Sequence, residues 1–371
     1  MKYCLLIFLF FTICSCQKTN QITASLIFES EPSNFPTQDK LDVNYKSFQV
    51  LNDTLIVFDK FNHEIIFFDL ISQSISSKSQ DLNGPNGFDS PINFTFLDNS
   101  NYVLADDYSI AVFDKNGIKT KEFNLFDESL YIDRDKLYGN PAYLGYRNNL
   151  ISGINGESIF LYFQKKGKEK NKNNFAELNL YNGKIEAISI DYPSNYEEIE
   201  FTGRLFQLTS AQSDKGIYFL FSGSPEISFF DFNTKKTISK SIISFEGKSI
   251  ADPPISFDAN DSEYYEYIRS NPFYTQIIYD DLHKLIYRIS SPSIGNSQAL
   301  DNNIFNKREI ILTVLDENLN ELGNLNLGTN RYDGTFAFSY SKGIWLALHR
   351  ELQNDENYIK GDLIKIEGIH Y

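Results

Sequence analysis

The chain of 371 residues carries 34 basic and 49 acidic side chains and a formal net charge of -15, an acidity that disfavours nucleic acids and anionic membrane surfaces as partners. Cys4, Cys14 and Cys16 are its only cysteines. Beyond residue 16 the chain can therefore form no disulfide, no thiolate zinc site and no cysteine nucleophile.

The N-terminus has the features of a secretory signal. Lys2 precedes an apolar run of about ten residues, which is too short to span a bilayer as a permanent helix. The Ser15-Cys16 junction resembles a bacterial lipobox, in which the cysteine becomes the lipidated first residue of the mature protein. We therefore predict a lipoprotein signal peptide over residues 1–15, lipidation of Cys16, and a lipid-anchored tether over residues 16–23.

Residues 24–371 are predicted to form one all-β domain. Short runs of β-branched and aromatic residues recur roughly every eight to twelve residues, separated by Asp, Asn, Gly and Ser clusters. The runs group into six units of up to four strands, and AYLGYR at residues 142–147 is predicted as the first strand of the third unit. The third strand of five units ends in a polar turn, at Asp69, Asp114, Tyr181-Asn182-Gly183, Asp231 and Asp316.

These turns lie 45, 67, 50 and 85 residues apart, which indicates a period of about 45 to 50 residues with insertions. Four strands per period are typical of a β-propeller. The sixth unit lacks a fourth strand, while ASLIFES at residues 24–30 precedes the first unit without a partner. We therefore predict a six-bladed β-propeller in which the N-terminal strand closes the C-terminal blade. The alternative is a β-sandwich with appendages.

The lengths of the connections predict where a ligand would bind. Every long connection follows a fourth or a second strand, and in a propeller these connections share one face, which we call the long-loop face. The opposite, tight-turn face carries the short turns after first and third strands. Long loops on a rigid scaffold often carry binding sites, so we predict a ligand site on the long-loop face. The long connections are residues 81–91, 127–141, 164–173, 191–204, 245–273, 291–307 and 351–357.

The connection at residues 245–273 contains a predicted helix. Asp261 or Ser262 can cap its start, it extends from Glu263 to about Arg269, and Asn271-Pro272 ends it. Such a helix would either cover the central opening as a lid or pack its tyrosines on the propeller face.

The sequence contains no recognisable catalytic, metal-binding or cofactor-binding motif. The four histidines are dispersed, and no HExxH, GxSxG or phosphate-loop pattern occurs. Arginine suits carboxylate, sulfate or sugar hydroxyl groups, and tyrosine offers a stacking surface. Residues where first strands begin and second strands end are therefore predicted to bind a ligand at the channel mouth: Arg204, Asn271, Tyr274, Arg288, His349 and Arg350. For Arg288 and Arg350, an ion pair between blades is the alternative.

The lipobox, the six units and the segment NPFYTQIIYDDLHKLIYRI together resemble a Bacteroidota family of propeller lipoproteins known as domain of unknown function 4221, related to TolB-like propellers. The most specific residues are Asn271, Pro272, Tyr274, Tyr279, Asp280, Tyr287 and Arg288. The resemblance implies the fold and a place in the cell envelope, but no established activity. Residues 17–20 lack the acidic cluster associated with surface export in such bacteria, which favours an outer-membrane lipoprotein facing the periplasm.

Two classes of function fit these features. The first is a non-catalytic binding or interaction module that engages a peptide, a glycan or an envelope protein. A structural or sensory accessory of another envelope complex would have the same sequence features. The second class is a propeller hydrolase or lyase acting on a lactone or glycan, which needs convergent Asp, Glu, Asn or His, usually around a metal. Scarce histidines and carboxylates placed mostly in turns favour the binding module.

Overall fold

The predicted strand runs fold into six four-stranded antiparallel sheets in the computed structural model of the chain. Five of these sheets each consist of four strands consecutive in sequence, the sixth is completed by the N-terminal strand, and the six are the blades of a β-propeller. The structure describes residues 26–36, 48–59, 62–89, 91, 93–98, 100–106, 109–125, 151–153, 156–162, 175–188, 190, 193, 208–252, 261–294, 308–353 and 358–367.

The closing segment and first three blades comprise β1 (Ile27–Pro32), β2 (Phe35–Pro36), β3 (Phe48–Leu51), β4 (Thr54–Asp59), β5 (Glu64–Asp69), β6 (Ile75–Ser79), β7 (Asn93–Phe96), β8 (Asn101–Ala105), β9 (Ser109–Asp114), β10 (Lys119–Asn124), β11 (Ile151–Ser152), β12 (Ser158–Tyr162), β13 (Phe175–Asn179) and β14 (Ile185–Ile188). The last three blades and the helix comprise β15 (Leu208–Gln212), β16 (Gly216–Phe221), β17 (Glu226–Asp231), β18 (Thr237–Ser241), α1 (Asp261–Ser270), β19 (Phe273–Asp280), β20 (Leu285–Ser291), β21 (Ile311–Asp316), β22 (Glu321–Asn326), β23 (Tyr332–Tyr340), β24 (Gly343–Leu348), β25 (Tyr358–Ile359) and β26 (Gly361–Glu367).

The ring closes through the N-terminal strand, which confirms the prediction for residues 24–30. β1 is the outer strand of the sixth blade and runs antiparallel to β26 over six residue pairs, beginning with Ile27 opposite Glu367. The indole Nε1 of Trp345 donates a hydrogen bond to the carbonyl of Ser33 at 2.7 Å. Trp345 is fully buried and is the only tryptophan. A core side chain of the last blade therefore also holds the first described segment in place.

The inner strand of the third blade differs from the sequence-based prediction. AYLGYR at residues 142–147 lies outside the described residues, and the strand that pairs with β12 is β11, which consists of Ile151 and Ser152. A strand of two residues is too short to produce a recognisable alternation of apolar and polar side chains. The pattern therefore favours the longer aromatic run just before it.

The hydrophobic core lies between the blades. Successive side chains of a strand point to opposite faces of its sheet, so each blade has two faces to bury. Among the described residues, six buried apolar clusters occupy the six gaps between neighbouring blades. In the gap between the sixth and first blades, the rings of Phe48 and Phe336 lie 5.0 Å apart. Burial of the described apolar residues is thus spread around the ring.

The turn after the third strand is built in the same way in five blades. A side-chain oxygen at the strand end accepts hydrogen bonds of 2.6–3.0 Å from backbone N–H groups two to four residues further on. The capping residues are Asp69, Asp114, Asn179, Asp231 and Asp316. These are Asx turns at the predicted places, but in the third blade the capping residue is Asn179, two residues before the predicted Tyr181-Asn182-Gly183. The hydrogen bonds from backbone N–H groups lower the pKa of Asp69, Asp114 and Asp231 below the usual value of 3.8.

The long connections follow the predicted scheme. The strand bounds place each of them after a fourth or a second strand, on the long-loop face. The helix α1 begins two residues before Glu263 and ends one residue after Arg269. No helix in the described ranges is both long and apolar enough to cross a membrane.

Candidate functional site

A cavity of about 610 Å³ lies on the propeller axis, where the inner strands of all six blades meet. The described residues that line this axial cavity are Phe48–Asn52, Phe94–Asp98, Ile151, Ser152, Ser210–Asp214, Gln276–Tyr279, Asp281 and Ala337–Ser339. The lining continues past the ends of several inner strands into the turns that follow them. The described walls of the cavity therefore extend to the tight-turn face, opposite the long-loop face.

Amide and hydroxyl side chains in the cavity wall connect neighbouring blades. Oε1 of Gln49 in the first blade accepts a hydrogen bond of 2.8 Å from the backbone N–H of Phe96 in the second. The hydroxyl of Ser152 donates to Oε1 of Gln212 at 3.3 Å, from the third blade to the fourth. The hydroxyl of Ser339 donates to a carbonyl of the fifth blade at 3.1 Å. These bonds fix the inner strands relative to one another and so define the shape of the cavity.

Gln276 differs from these wall residues because half of its amide has no partner. Its Nε2 donates to the carbonyl of Ala337 at 2.7 Å, which fixes the orientation of the amide group. Oε1 is buried with no hydrogen-bond partner among the described residues, and the residue is 7% exposed. An unpaired buried carbonyl costs about 1–3 kcal/mol. Almost none of the surface of Oε1 is accessible, so a donor on a ligand would recover this cost only after the adjacent cavity wall moved slightly.

A β-bulge determines which way Gln276 points. The pairing of β19 with β20 shifts register between Tyr274 and Gln276. Without the bulge, these two residues would share one face of the strand. With it, Tyr274 packs in the gap toward the fourth blade, whereas Gln276 reaches Ala337 in the sixth blade. Sequence reasoning missed Gln276 because a strict alternation does not indicate this change of side.

Carboxylates from separate blades lie along the cavity rim. Asp98, Asp214 and Asp281 are contributed by the second, fourth and fifth blades. Asp98 accepts hydrogen bonds from backbone N–H groups of its own turn, and Asp281 pairs with Lys284 at 2.6 Å. In the part of the chain that the structure describes, no three His, Cys, Asp or Glu residues lie close enough together to hold a metal ion.

Tyr279 joins the cavity wall to a charged cluster on the tight-turn face. Its hydroxyl donates to Oε1 of Glu317 at 2.7 Å, and Lys215 pairs with Oε2 of the same carboxylate at 2.6 Å. Burial and the hydrogen bond to a carboxylate both raise the pKa of Tyr279. Burial raises the pKa of Glu317, but its bonds with Lys215 and Tyr279 outweigh that effect and lower it overall. The cluster ties the fourth blade to the fifth.

Arg288 and Tyr274, both predicted to bind a ligand, lie together in the gap between the fourth and fifth blades. The guanidinium carbon of Arg288 lies 5.0 Å from the ring centroid of Tyr274. Nη1 donates to the carbonyl of Pro225 at 3.0 Å, and Nη2 donates to Oγ of Ser244 at 2.6 Å. Both side chains are fully buried, which lowers the pKa of Arg288 to about 10 and raises that of Tyr274. Their role in ligand binding stays a prediction.

Asn271 secures the end of α1. Its Nδ2 donates to the carbonyl of Tyr267 at 2.8 Å, and its Oδ1 accepts a bond of 2.6 Å from the backbone N–H of Asp252. Arg308, which sequence reasoning missed, donates to the carbonyls of Ile268 and Asn271 at 2.5 and 2.7 Å. A positive charge is favourable at this C-terminal end of a helix.

Arg308 is a second buried arginine bound to backbone oxygens. It also donates to the carbonyls of Ser291 and Pro292 at 3.1 and 2.7 Å, and its guanidinium carbon lies 5.0 Å from the ring centroid of Phe273. The residue is 4% exposed, and burial lowers its pKa to about 9. Its partners lie 16 to 40 residues away in sequence, so no local pattern could have identified this role.

The structure describes the remaining predicted site residues only in part. The backbone N–H of His349 donates to the carbonyl of Arg331 at 2.7 Å, and a 3₁₀ turn covers Arg350–Leu352. Among the described side chains, those of Asn271, Tyr274, Arg288 and His349 do not line the axial cavity. Several predicted features lie outside the described residues and stay predictions: Arg204, the side chain of Arg350, the signal peptide, Cys16 and the tether.

Comparison with solved structures supports the fold. A crystal structure of a DUF4221 family member from Bacteroides vulgatus is 18% identical, with a TM-score of 0.70, and covers 93% of this chain and 99% of its own. A Bacteroides fragilis protein assigned as exported is 13% identical, with a TM-score of 0.56, and covers 92% of this chain and 96% of its own. Virginiamycin B lyase from Staphylococcus aureus is 13% identical, with a TM-score of 0.41, and covers 91% of this chain and 99% of its own.

A comparison with curated proteins gave no match. The family model described as "Domain of unknown function (DUF4221)" matches residues 22–324 of the 371, which include β1, the first four blades and the fifth blade as far as Asn324 in β22. This match confirms the family resemblance and includes the segment at residues 271–289, whereas the lipobox lies before the matched residues and stays a prediction. The chain therefore belongs to the DUF4221 family.

Proposed function

We propose that the protein is an envelope lipoprotein, anchored through Cys16, that acts as a non-catalytic binding module. Its ligand site is the axial cavity. The observation that carries this proposal is the axial cavity of about 610 Å³, whose polar wall includes Gln276 with its unpartnered Oε1. Cavities of this volume hold small molecules, which are oriented by a few fixed polar groups.

The lining indicates the chemistry of the ligand. Every blade contributes an amide or hydroxyl side chain to the described lining, and Phe96 and Leu97, which are partly exposed, supply apolar surface beside them. Phenylalanine rings pack against the apolar faces of ligands, while an acceptor such as Oε1 of Gln276 requires a donor. A neutral sugar with its hydroxyl groups, or a peptide with its amide N–H groups, has this combination.

The long-loop face stays a predicted second contact region. Most residues of its long connections lie outside the described ranges, and Arg204 is among them. The axial cavity is the better supported site because its lining strands are described and fixed by hydrogen bonds between blades.

The hydrolase or lyase alternative makes a different demand on the cavity. It needs titratable side chains that converge on one point, usually around a metal, whereas the described residues include no group of three His, Cys, Asp or Glu side chains that could hold a metal ion. We therefore prefer the binding proposal. Turnover of a bound glycan, measured by product formation, would support the alternative.

The binding proposal is tested with a Gln276→Leu variant and a panel of neutral oligosaccharides and blocked dipeptides. Loss of a hydrogen bond worth about 1.4 kcal/mol weakens binding tenfold, so we expect at least a tenfold rise in Kd for any member that binds. The measurement is equilibrium binding by calorimetry. Unchanged affinity in Gln276→Leu would contradict the proposed site, as would a panel with no binder.

Gln80→Leu is the matched control. Gln80 is 5% exposed, and its amide also makes buried hydrogen bonds, to Asn86 and Tyr102, but it does not line the cavity. This variant should lose stability as Gln276→Leu does and keep its affinity. Lipid anchorage is tested separately with Cys16→Ala, which should move the protein from the membrane fraction to the soluble fraction.

A further inference from the structure

The described N-terminal strand enters the propeller from the tight-turn face. β26 is the third strand of its blade, so it runs from the long-loop face to the tight-turn face and ends at Glu367. β1 runs antiparallel to β26, and Ile27 pairs with Glu367. Ile27, the first residue of β1, therefore lies at the tight-turn face. Only nine residues lie between Cys16 and Leu26, and the ten steps from one to the other span at most about 35 Å when the chain is fully extended.

Exposed apolar side chains stand at the tips of several turns on the same face. Tyr181 is 86% exposed after β13, and Leu282 is 64% exposed between β19 and β20. Ile71 and Ile118 occupy corresponding turns of the first and second blades and are about half exposed. Large apolar tips on consecutive blades are unfavourable in water, whereas isoleucine, leucine and tyrosine are favoured at the boundary of a lipid bilayer.

Exposure alone does not distinguish the two faces. Four other exposed apolar side chains lie in connections of the long-loop face: Ile243, Ile250, Leu352 and Tyr358. The entry point of the tether does distinguish them, because a lipid on Cys16 would bring the tight-turn face to the bilayer first.

The charges of the tight-turn face favour a bilayer without net charge. Four lysines there each pair with a carboxylate: Lys184, Lys215, Lys235 and Lys284. The carboxylates of Asp69, Asp114, Asp231 and Asp316 accept hydrogen bonds within their turns. Backbone N–H groups are neutral, so these carboxylates keep their negative charges. An acidic face on a chain with a net charge of -15 suits zwitterionic headgroups better than anionic ones.

We propose that the tight-turn face is a membrane-docking surface, in which Ile71, Ile118, Tyr181 and Leu282 enter the headgroup region of a zwitterionic bilayer. This inference rests on the proposed lipid anchor at Cys16. The axial cavity then opens toward the membrane, and the long-loop face points away from it.

The test uses the full-length lipoprotein, isolated from bacterial membranes and reconstituted in phosphatidylcholine vesicles that contain a headgroup spin-labelled lipid. The mature chain has no thiol other than that of Cys16, so Tyr181→Cys and Tyr358→Cys each give one site for a fluorophore. These are matched tyrosines on opposite faces. We expect at least threefold stronger quenching at position 181. Leu282→Cys and Ile243→Cys form an independent pair, with stronger quenching expected at position 282.

Flotation of the vesicles separates the two ways of failing. Protein that does not float with the vesicles would overturn both the lipid anchor and the docking surface. Protein that floats, with equal quenching on the two faces or stronger quenching at position 358, would overturn the docking surface alone. Floating protein with no quenching at either position would indicate that another macromolecule covers the tight-turn face, and would also overturn the proposal.

Discussion

The tight-turn face is stabilised by five Asx turns, whose hydrogen bonds all join residues close in sequence. At the long-loop face and in the adjacent gap between blades, two buried arginines instead join segments that are distant in sequence. Each Asx turn is completed within four residues of its capping residue. Arg308 binds four backbone carbonyls from the end of α1 and the segment after β20. Replacing the capping residues one by one should lower the free energy of unfolding in small steps. Replacing a single residue that has four distant partners should lower it in one large step.

The largest effect is expected for Arg308→Ala. Four buried carbonyls would lose their donor together, and we expect the free energy of unfolding to fall by about 3–5 kcal/mol. Urea denaturation followed by the fluorescence of Trp345 measures this change. Arg308→Lys keeps the charge without the planar fork and should recover less than half of the loss. A loss below about 1 kcal/mol for Arg308→Ala would show that water replaces the guanidinium, and the contrast between the two faces would fail.

Arg288→Ala should be the next most damaging substitution, at about 2–4 kcal/mol, because it removes two hydrogen bonds and a ring contact from a dry gap between blades. Tyr274→Phe removes only the hydroxyl that donates to the carbonyl of Ser249 at 2.7 Å, so about 1 kcal/mol is expected. Thermal and urea unfolding measure both variants. If Arg288→Ala keeps its stability and loses a ligand instead, Arg288 belongs to the binding site as the sequence predicts.

Asn179→Ala tests one of the five Asx turns. The variant loses two hydrogen bonds from an exposed turn, and the expected loss is about 0.5–1 kcal/mol. Asn179→Asp should be nearly neutral, since aspartate caps the equivalent turn in four other blades. The same urea experiment measures both variants. A loss as large as that of Arg288→Ala would remove the distinction between local and non-local support.

The smallest effect is a dependence on pH. Asp69, Asp114 and Asp231 have lowered pKa values in the folded chain, so their contribution to stability is present above about pH 4 and disappears as the pH falls through those lowered values. Replacing all three with Asn keeps the caps but removes the titration. The melting temperature of this triple variant should therefore fall less steeply below pH 4 than that of the parent chain. Identical slopes would show that other carboxylates control acid unfolding.

The comparison of the two faces also explains what could be predicted from the sequence. The blades and the Asx turns were predictable because each depends on residues that are neighbours in sequence. An alternating or wholly apolar run indicates a strand, and Asp or Asn at its end indicates the turn. Closure by the N-terminal strand was predictable from the number of strands, since the sixth unit lacked a fourth strand and the strand at residues 24–30 belonged to no unit. The family resemblance rested on residues 271–289, and the family model agrees with it.

The candidate site was less accessible to sequence reasoning. Gln276 faces the sixth blade because of a bulge one residue earlier, and a bulge leaves no trace in an alternating pattern. Arg308 gains its role from carbonyls on two other segments, and an isolated arginine before a strand carries no sign of that. Arg288 and Tyr274 are indeed neighbours, but their position between blades depends on which neighbouring strand they face.

The closing strand has a mechanical consequence. With a lipid on Cys16, any force that separates the protein from the membrane acts on Ile27 and pulls along the axis of β1. The hydrogen bonds between β1 and β26 lie across that axis. Six residue pairs therefore resist the pull together, in shear, and do not open one after another as in peeling. The strand that completes the last blade would thus also serve as a strong attachment point, through which tension passes into the whole ring.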